Sequence, residues 1–181
     1  MRFTETAIDG AFLVDLDTVS DDRGFFARAY SADEFEARGL MPRIAQVNVS
    51  HNRLKGTVRG LHYQVPPAVE TKLMRCTAGG IYDVIVDLRP ASPSYLTHVG
   101  VTLTGENRTA LYVPGLVAHG YQTLEEQTEV TYPVGEFYTP GYERGLRWDD
   151  PAFGIEWPLP VAAISEKDRS WPDFEPGPPA P

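Results

Sequence analysis

One short stretch of the chain concentrates side chains that can move protons and bind anions. Residues 57–64 read Thr-Val-Arg-Gly-Leu-His-Tyr-Gln, and Lys72 and Arg75 follow soon afterwards. The stretch is rich in β-forming residues, and side chains on a strand alternate between two faces. This alternation predicts His62 on one face and Arg59 on the other. Because an imidazole titrates near neutrality, His62 is the residue here best suited to acid–base chemistry.

The bland interpretation of His62 is a hydrogen-bonded core histidine, which is the commoner situation for a lone histidine. Gly60 stands two residues before His62 and has no side chain. The missing side chain would let a ligand approach the backbone at this point. The sequence around His62 therefore permits a ligand site but does not require one.

Three other segments hold similar groups, and each by itself is weak evidence for a site. They are Asp21–Phe26, where Arg23 lies in a turn beside two aromatic residues, Gln46–Ser50, where period two puts Gln46, Asn48 and Ser50 on one face, and Val113–Tyr121, where His119 follows a Pro-Gly turn. The ordinary alternatives are a solvated turn arginine, a polar sheet face and a loop histidine. Only their convergence in space would indicate a site.

Several common kinds of catalytic site are not supported by the motifs. No His-x-His pair or trailing glutamate adds a third metal ligand to His62 and His119. No nucleophile elbow surrounds a serine or Cys76, whose neighbours are apolar and strand-like. The glycine-rich loops of Rossmann and P-loop nucleotide sites are also missing from the sequence. We therefore expect neither a resident metal nor a nucleotide cofactor.

The charge balance narrows the class of ligand. The chain has 25 acidic and 16 basic residues and a net charge of -9, whereas a nucleic-acid-binding protein needs a concentrated basic surface. A few converging arginines would still bind a small anion. The single cysteine excludes an intrachain disulfide and fits a reducing compartment. With no signal-peptide pattern and no apolar run of about 20 residues, the sequence predicts a cytoplasmic protein without a membrane segment.

The spacing of turn residues predicts the fold. Sixteen glycines and sixteen prolines separate short runs rich in Val, Ile, Thr, Tyr and Phe, which is typical of an all-β sandwich or barrel. The runs are residues 12–16, 44–49, 80–88, 98–103, 110–113 and 129–134. Asp83 shares a face with Ile81 and Ile85, which predicts either a buried polar role or a partly solvated face.

Little of the remaining sequence indicates helix or a second domain. A short capped helix is expected after Ser31, ending at Gly39. We expect one domain over residues 1–174. The proline-rich segment 175–181 is expected to be disordered.

Taken in order, the motifs resemble one family, the dTDP-4-dehydrorhamnose 3,5-epimerases, which are cupin-type jelly-roll barrels. The matching segments span about residues 20 to 168 and are Asp22–Phe26, Gln46–Ser50, Arg59–Gln64, Lys72–Cys76, Asp83–Arg89, Pro114–Tyr121, Tyr132, Tyr138, Trp148–Pro151 and Ser165–Asp168. The family's enzymes are usually dimers that share strands, so the resemblance implies a homodimer. Met1–Asp15 would be an exchanged strand, or it would pair within its own chain.

The resemblance also implies a role for each matching residue. His62 corresponds to the general base, Asp168 to the carboxylate that orients it, Tyr132 to the acid on the other face of the sugar and Lys72 to the lysine near the C4 oxygen. The substrate-binding positions are Arg23 and Arg59 for the diphosphate, His119 with its partner Asp83, and Phe26, Arg28, Gln46, Asn48, Tyr138 and Glu143 around the pocket.

The chemistry implied for this family needs those residue types. A 4-keto group makes the C3 and C5 protons acidic, because the carbanion delocalises onto oxygen as an enolate. Inversion then requires a base on one face of the sugar and a proton donor on the other. Lys72 supplies positive charge where negative charge develops, and forked arginine hydrogen bonds hold a diphosphate. No redox or metal cofactor is required.

One position departs from the family's pattern. The familiar enzymes commonly have a glutamate two residues after the Phe-Phe pair, where it contacts the thymine ring, and this chain has Arg28. Cytosine N3 accepts a hydrogen bond whereas thymine N3 donates one. Arg28 therefore raises the hypothesis of a CDP-sugar substrate, and its alternative is that Arg28 points elsewhere.

The leading prediction is a cofactor-independent epimerase acting on a nucleotide-linked 4-keto-6-deoxyhexose, of the type that converts dTDP-4-dehydro-6-deoxy-D-glucose to dTDP-4-dehydro-L-rhamnose. A mono-epimerase or a CDP-sugar epimerase of the same fold would use the same residues. A metal-dependent cupin and a non-catalytic cupin that binds nucleotide sugars are the alternatives of a different class. The acid–base set His62, Tyr132, Lys72 and Asp168 argues against the non-catalytic alternative, since binding alone does not need it.

Overall fold

Two antiparallel sheets face each other and form the body of the protein. The computed structural model describes residues 1–176. One sheet has six strands in the order β1-β2-β10-β7-β12-β5, and the other has five in the order β13-β6-β11-β8-β9. The six-stranded sheet comprises β1 (Arg2–Glu5), β2 (Phe12–Asp15), β5 (Gln46–Asn52), β7 (Lys72–Ala78), β10 (Ala110–Val113) and β12 (Thr128–Val134). The five-stranded sheet comprises β6 (Val58–Gln64), β8 (Gly80–Asp87), β9 (His98–Thr104), β11 (Val117–Thr123) and β13 (Glu143–Gly145).

The remaining elements are short and lie around this body. Two strands, β3 (Thr18–Asp21) and β4 (Gly24–Ala27), form a hairpin with its own two-stranded sheet. The helices are α1 (Ala32–Glu36) and α2 (Glu166–Arg169). The prediction of an all-β, cupin-type jelly roll with a few short peripheral helices is confirmed. No helix within residues 1–176 is long and apolar enough to cross a bilayer.

Alternation along the strands explains why both sheets bury apolar side chains. Residues such as Met74, Ile85 and Leu103 point between the sheets and form the central core. The outer face of the six-stranded sheet packs on α1 through Phe35. The outer face of the five-stranded sheet, including Leu61, packs on the loops after β13. Apolar side chains are thus buried between the sheets and on the outer face of each sheet, and this burial is the main stabilisation of the fold.

Each of the six predicted strand segments corresponds to a strand, with boundaries that differ by a few residues. The predicted helix is α1, which follows Ser31 but ends at Glu36, before the chain turns at Gly39 with a φ of +70°. Within the described residues, the Ser31 side chain makes no cap hydrogen bond, so that part of the prediction was wrong. Most of the segment 175–181, which was expected to be disordered, lies outside the described residues. Asp83 is fully buried, so the buried polar interpretation of its strand was correct and the solvated one was wrong.

The N-terminal segment pairs within its own chain. Arg2 is opposite Asp15 and Glu5 is opposite Phe12, so β1 and β2 form an antiparallel pair at the edge of the six-stranded sheet. The N-terminal ammonium adds ion pairs with Asp17 and Glu34. Of the two alternatives for Met1–Asp15, in-chain pairing is the one observed.

The β3–β4 hairpin, by contrast, is poorly buried. Every residue of β3 and β4 is exposed except Ala27, which is half-buried. Two of the exposed side chains are large and apolar, with Val19 and Phe26 each 73% accessible. Exposed apolar residues clustered on one element mark an interaction surface more often than chance solvent exposure.

Strand β6 contains an irregularity that changes which side chains face the interior. His119 of β11 is opposite His62, but Tyr121, two residues later, is opposite Arg59, three residues away on β6. One extra residue on β6 makes a β-bulge, which re-aims the side chains on one side of it. As a result Arg59 and His62 both line the same cavity. The prediction that they lie on opposite faces was wrong for this reason.

Gly60 is required by the same irregularity. Its φ is +99°, and a Cβ there would lie 2.6 Å from the carbonyl oxygen of His119 and 2.7 Å from the Cα of Gly120. The space left by the missing side chain is thus occupied by the backbone of β11, where the sequence suggested a ligand. A side chain at Gly60 would push β6 and β11 apart, since the contact is with backbone atoms.

A C-terminal segment closes the open side of β6. The amide of Ala162 donates to the carbonyl of Gly56, and the amide of Val58 donates to the carbonyl of Ala163. Helix α2 follows directly, and the Ser165 hydroxyl caps it by accepting from the amide of Asp168 at 3.0 Å. These contacts fix the one turn of helix that carries Asp168 against the edge of the sheet.

Candidate active site

A cavity of about 560 Å³ lies between the two sheets and is closed on one side by the C-terminal segment. Strands β5, β7 and β12 of the six-stranded sheet supply one wall, and β6 and β11 of the other sheet supply the facing wall. The lining side chains include Ser50, Arg59, His62, Lys72, Met74, His119, Tyr121, Tyr132, Ile164, Lys167 and Asp168. The two sheets thus bring together residues that are distant in the sequence.

His62 and Asp168 form a tight pair on the β6 wall. His62 Nε2 lies 2.6 Å from Asp168 Oδ1, across 106 residues of sequence. The His62 side chain is 30% exposed and that of Asp168 only 6%. With the carboxylate ionised, Nε2–H donates to it, which leaves the lone pair on Nδ1 as the proton-accepting atom. This is the arrangement of an oriented general base.

The surroundings of Asp168 favour its charged form. Burial alone raises the pKa of this carboxyl, but the hydrogen bond and charge of His62, together with the bonds from Gly60 and Ser165, outweigh it and lower the pKa. The Gly60 amide donates to Asp168 Oδ2 at 3.3 Å. A charged Asp168 fixes the tautomer of His62 and stabilises the imidazolium that forms when His62 takes a proton.

A second histidine–aspartate pair lies deeper in the cavity wall. His119 Nε2 donates to Asp83 Oδ1 at 2.6 Å, and the two side chains are 7% and 0% exposed. Within residues 1–176, the other oxygen of Asp83 has no hydrogen-bond partner. The prediction that Asp83 is the partner of His119 agrees with this geometry.

Lys72 lies on the opposite wall and is held by two hydrogen bonds. Its Nζ is 2.7 Å from Glu70 Oε1 and donates to the carbonyl of His62 at 3.1 Å. The Lys72 and Glu70 side chains are 9% and 12% exposed. An ammonium has three N–H donors, so one remains for a ligand in the cavity.

Tyr132 enters the cavity from β12, on the wall that faces His62. Burial raises the pKa of its phenol, the nearby Tyr121 and Glu70 raise it further, and Arg59 partly opposes them. A raised pKa keeps the phenol protonated near neutral pH. Tyr132 is therefore a protonated phenol on the wall that faces His62.

Arg59 is oriented by a polar network beside the two tyrosines. Its Nε donates to Asn52 Oδ1 at 2.7 Å. Asn52 Nδ2 donates to the Tyr121 hydroxyl at 3.3 Å, and that hydroxyl shares a 2.8 Å hydrogen bond with the hydroxyl of Ser50. With Nε engaged, the terminal nitrogens of the Arg59 guanidinium are the part available to an anion.

Three predicted pocket residues form a connected group that contacts the cavity residues His62 and Lys167, although none of the three lines the cavity itself. Gln46 Oε1 accepts from the amide of Tyr138, and the Tyr138 hydroxyl donates to Glu143 at 3.4 Å. Glu143 also pairs with Lys167 and lies 3.9 Å from His62 Nδ1. Asn48 lies between Gln46 and Ser50 on β5, directly opposite Tyr132 in the sheet register.

The structure does not bring Arg23, Phe26 and Arg28 to this cavity within one chain. Arg23 lies at the turn of the β3–β4 hairpin, 90% exposed and paired with Asp21. Phe26 is exposed on β4, and Arg28 follows that strand in an exposed position. One chain therefore brings together the predicted residues that line the cavity, namely Arg59, His62, Lys72, His119, Tyr132 and Asp168. The hairpin residues Arg23, Phe26 and Arg28 are not among them.

The chain matches a family model described as dTDP-4-dehydrorhamnose 3,5-epimerase over residues 5–176. It belongs to this family. A dTDP-4-dehydrorhamnose 3,5-epimerase of Methanothermobacter thermautotrophicus is 40% identical, over 94% of this chain and 92% of the relative. The resemblance inferred from the ordered motifs is thereby confirmed.

Solved structures of this family have the same fold. The dTDP-4-dehydrorhamnose 3,5-epimerase of Bacillus anthracis, with TDP and PPi bound, is 39% identical with a TM-score of 0.92, and the match covers 96% of this chain and 99% of that one. A 3'-monoepimerase from Streptomyces bikiniensis in complex with dTDP-quinovose is 28% identical with a TM-score of 0.84, over 93% and 85% of the two chains. Structures similar to this chain thus include one named as a 3,5-epimerase and one named as a 3'-monoepimerase.

Several residues of the site were missed from the sequence. Glu70 and Asn52 carried no motif, and Tyr121 ended a noted motif without being assigned a role, because their contribution depends on which strands are neighbours. Lys167 directly precedes Asp168 in the matching segment Ser165–Asp168. This adjacency was the signal by which the sequence could have identified Lys167 as a site residue. Among residues 1–176, no group of three or more His, Cys, Asp and Glu side chains is arranged to hold a metal ion.

Proposed function

We propose that this family member is a cofactor-independent epimerase that converts dTDP-4-dehydro-6-deoxy-D-glucose to dTDP-4-dehydro-L-rhamnose by inverting C3 and C5. One observation carries the proposal. A carboxylate-oriented histidine, His62, stands on one wall of the cavity, and a protonated phenol, Tyr132, stands on the facing wall with Lys72. Inversion of a carbon centre needs a base and an acid on opposite faces, which is what this arrangement supplies.

The reaction proceeds through an enolate. His62 Nδ1 takes the proton from C5 or C3, the C–H electron pair becomes a carbon–carbon double bond to C4, and the carbonyl pair moves to the C4 oxygen. Tyr132 then donates its proton to the other face of the same carbon as the enolate collapses to the ketone. His62 loses its proton to solvent and Tyr132 regains one, so the enzyme returns to its starting state.

Two groups stabilise the charges that appear during the reaction. Asp168 stabilises the imidazolium of His62 through the 2.6 Å hydrogen bond. The Lys72 ammonium, which has an uncommitted N–H, donates to the developing enolate oxygen. Donors that are fixed before the reaction stabilise such a charge strongly, because they need no reorganisation.

The nucleotide end of the site is proposed to be completed by a second copy of the chain. Arg59 offers its terminal nitrogens to the diphosphate from within the chain. The β3–β4 hairpin, with Arg23, Phe26 and Arg28, would reach the cavity of a partner, so the enzyme would be a homodimer. Support comes from the exposed apolar side chains of the hairpin and from its separation from the cavity of its own chain.

We also propose that the enzyme acts in the cytoplasm. Cys76, the single cysteine of the sequence, is a buried free thiol. Burial raises its pKa to about 11, so the thiol stays protonated and unreactive. A fold of this size that is stabilised by its core alone needs no oxidising compartment.

The decisive experiment is hydrogen–deuterium exchange followed by NMR. Purified protein is incubated in deuterated water with dTDP-4-keto-6-deoxyglucose and, in a parallel reaction, with the CDP counterpart. We expect deuterium at C3 and C5 of the dTDP sugar. Absence of exchange from both sugars would refute the proposed function. The boiled enzyme is the control for spontaneous exchange of these acidic protons.

The same experiment separates the alternatives. Exchange at C3 alone would indicate a mono-epimerase, an outcome that the similarity to the Streptomyces bikiniensis enzyme makes worth testing. Exchange from the CDP sugar alone would support the hypothesis drawn from Arg28, and the Arg28→Glu variant should then gain preference for dTDP. Metal analysis of the purified active protein distinguishes a metal-dependent cupin.

The homodimer is tested by active-site complementation. In a homodimer with shared sites, mixing a His62→Ala chain with an Arg23→Ala chain creates one site that has both residues. Random assortment restores about one quarter of the wild-type sites, since half of the dimers are mixed and each has one complete site. Activity of the mixture no greater than the sum of the two variants would contradict the shared site.

A further inference from the structure

Glu70 is a largely buried carboxylate that pairs with the cavity residue Lys72, and the proposed reaction supplies no role for it. It precedes β7, its side chain is 12% exposed, and it pairs with the ammonium of Lys72 at 2.7 Å. Its other oxygen accepts from Gln64 Nε2 at 3.2 Å. Burying a carboxylate is costly unless it is paired and hydrogen-bonded, and both oxygens of Glu70 are satisfied by fixed partners.

Gln64 anchors this carboxylate to the rigid part of the fold. Gln64 is 2% exposed. Its Nε2 also donates to the carbonyls of Ala68 and Phe137, and its Oε1 accepts from the amide of Thr139. The bonds therefore run in a continuous series from the backbone through Gln64 and Glu70 to Lys72, and from Lys72 to the carbonyl of His62.

We propose that Glu70 is a positioning residue for the epimerisation, which fixes the Lys72 ammonium where it meets the enolate oxygen. The inference rests on the proposed function. A lysine side chain has four rotatable bonds and is a compact, mobile charge. Two of its three N–H donors are used to hold it, by Glu70 and by the His62 carbonyl, so the third has a defined place relative to the base.

Glu70 also acts on the proton donor. The Tyr132 phenol, whose pKa is raised first by burial and next by Tyr121, is raised further by the negative charge of Glu70. Lys72 and Tyr132 share the cavity with six other charged or titratable residues. These are His62 and Arg59 on β6, His119 and Tyr121 on β11, and Lys167 and Asp168 of α2. One carboxylate thus holds the enolate-stabilising cation and favours the protonated form of the acid.

The test compares Glu70→Gln and Glu70→Asp with the wild type and with Glu129→Gln as a matched control. Glu129 accepts a hydrogen bond from Thr77 on the protein surface, outside the cavity. The measurements are kcat and KM for deuterium incorporation across pH, and the Kd of dTDP by calorimetry. Thermal unfolding verifies that each variant is folded.

For Glu70→Gln we expect kcat to fall about 10- to 100-fold, because Lys72 is no longer held for the transition state. KM and the Kd of dTDP should change by about twofold at most, since Glu70 does not line the cavity. The alkaline limb of the kcat profile should move to lower pH, because removing the charge of Glu70 lowers the pKa of Tyr132. Glu70→Asp should retain the charge and recover part of kcat, and Glu129→Gln should match the wild type.

A double-mutant cycle tests whether Glu70 acts through Lys72. In a Lys72→Ala background, Glu70→Gln should lower kcat no further, because the group it positions is gone. It should raise the unfolding midpoint of that background, since Lys72→Ala leaves a buried unpaired carboxylate. This stability readout does not depend on turnover.

The outcomes separate this inference from the proposed function. A wild type that exchanges deuterium while Glu70→Gln matches it in kcat and pH profile would refute the inference alone. If Glu70→Gln loses stability and kcat to the same extent and its pH profile does not move, Glu70 is only a structural anchor. That result would also refute the inference. If the wild-type protein incorporates deuterium into neither keto sugar, the proposed function and the inference are both refuted.

Discussion

The two histidine–aspartate pairs have the same hydrogen-bond distance but differ in how deeply their histidines are buried. In each pair the histidine Nε2 and the aspartate Oδ1 are 2.6 Å apart. The His62 side chain is 30% exposed, whereas that of His119 is 7% exposed. The second oxygen of Asp168 accepts from Gly60, while within residues 1–176 that of Asp83 has no partner.

This difference indicates different work for the two pairs. In the proposed reaction His62 must reach both a substrate carbon and solvent, because it would take a proton and later release it. His119 lies on β11 between β6 and β8 and is fixed on both sides by the sheet. A buried and immobile imidazole is suited to hold a ligand in place. We therefore propose proton transfer for His62 and substrate positioning for His119.

The largest expected effect tests that assignment directly. His62→Ala should lower the deuterium exchange rate about 100- to 10,000-fold, the usual contribution of a general base, and should still bind dTDP. His119→Ala should raise KM more than it lowers kcat. Steady-state kinetics with calorimetry on both variants measures the split. Retained turnover in His62→Ala would remove it from the base role.

The next effect concerns the two carboxylates. Asp168→Asn should lower kcat about 100-fold or more, because an amide neither fixes the required tautomer of His62 nor stabilises its imidazolium. Asp83→Asn should act mainly on stability and lower the free energy of unfolding by about 1–3 kcal/mol, the cost of weakening a buried hydrogen bond to a charged group. Urea unfolding and kinetics of both variants decide. If Asp83→Asn were the more damaging to kcat, the comparison would have to be reversed.

The smallest effect is the pH dependence of stability. The folded-state pKa of Asp168 is lowered, so its contribution is fully present above the unfolded-state pKa and is lost as pH falls through the folded-state pKa. Urea midpoints should therefore decline as pH drops below about 4. Part of that decline should disappear in Asp168→Asn. A variant with the wild-type acid profile would show that Asp168 titrates identically in both states.

The sequence predicted the strands well because their signal is local. Alternating apolar residues between turn formers mark β8 and β12 without knowledge of their neighbours, but the same alternation left open whether Asp83 is buried or partly solvated. The prediction failed at β6, where one inserted residue puts Arg59 and His62 on the same side. A bulge is decided by pairing with β11, so the strand's own residues do not reveal it.

The site divides in the same way. His62, Lys72, Tyr132 and Asp168 were assigned from motifs whose order resembles a family, and one cavity does contain all four. Glu70 escaped detection because an isolated glutamate before a strand is ordinarily a solvated one. Only the three-dimensional contacts with Gln64 and Lys72 give it significance.

The position of Asp168 has a consequence for how the enzyme matures on the ribosome. The carboxylate follows the thirteen strands found in residues 1–176, and it lies 106 residues beyond His62, its hydrogen-bond partner. Domains are synthesised from the N-terminus at about 5–20 residues per second, so the sheets emerge before the base has its partner. A nascent chain that stalls after β13 would thus contain the strands of the barrel but an unoriented His62. The site is therefore completed late in translation, because His62 lacks its partner until α2 has been synthesised.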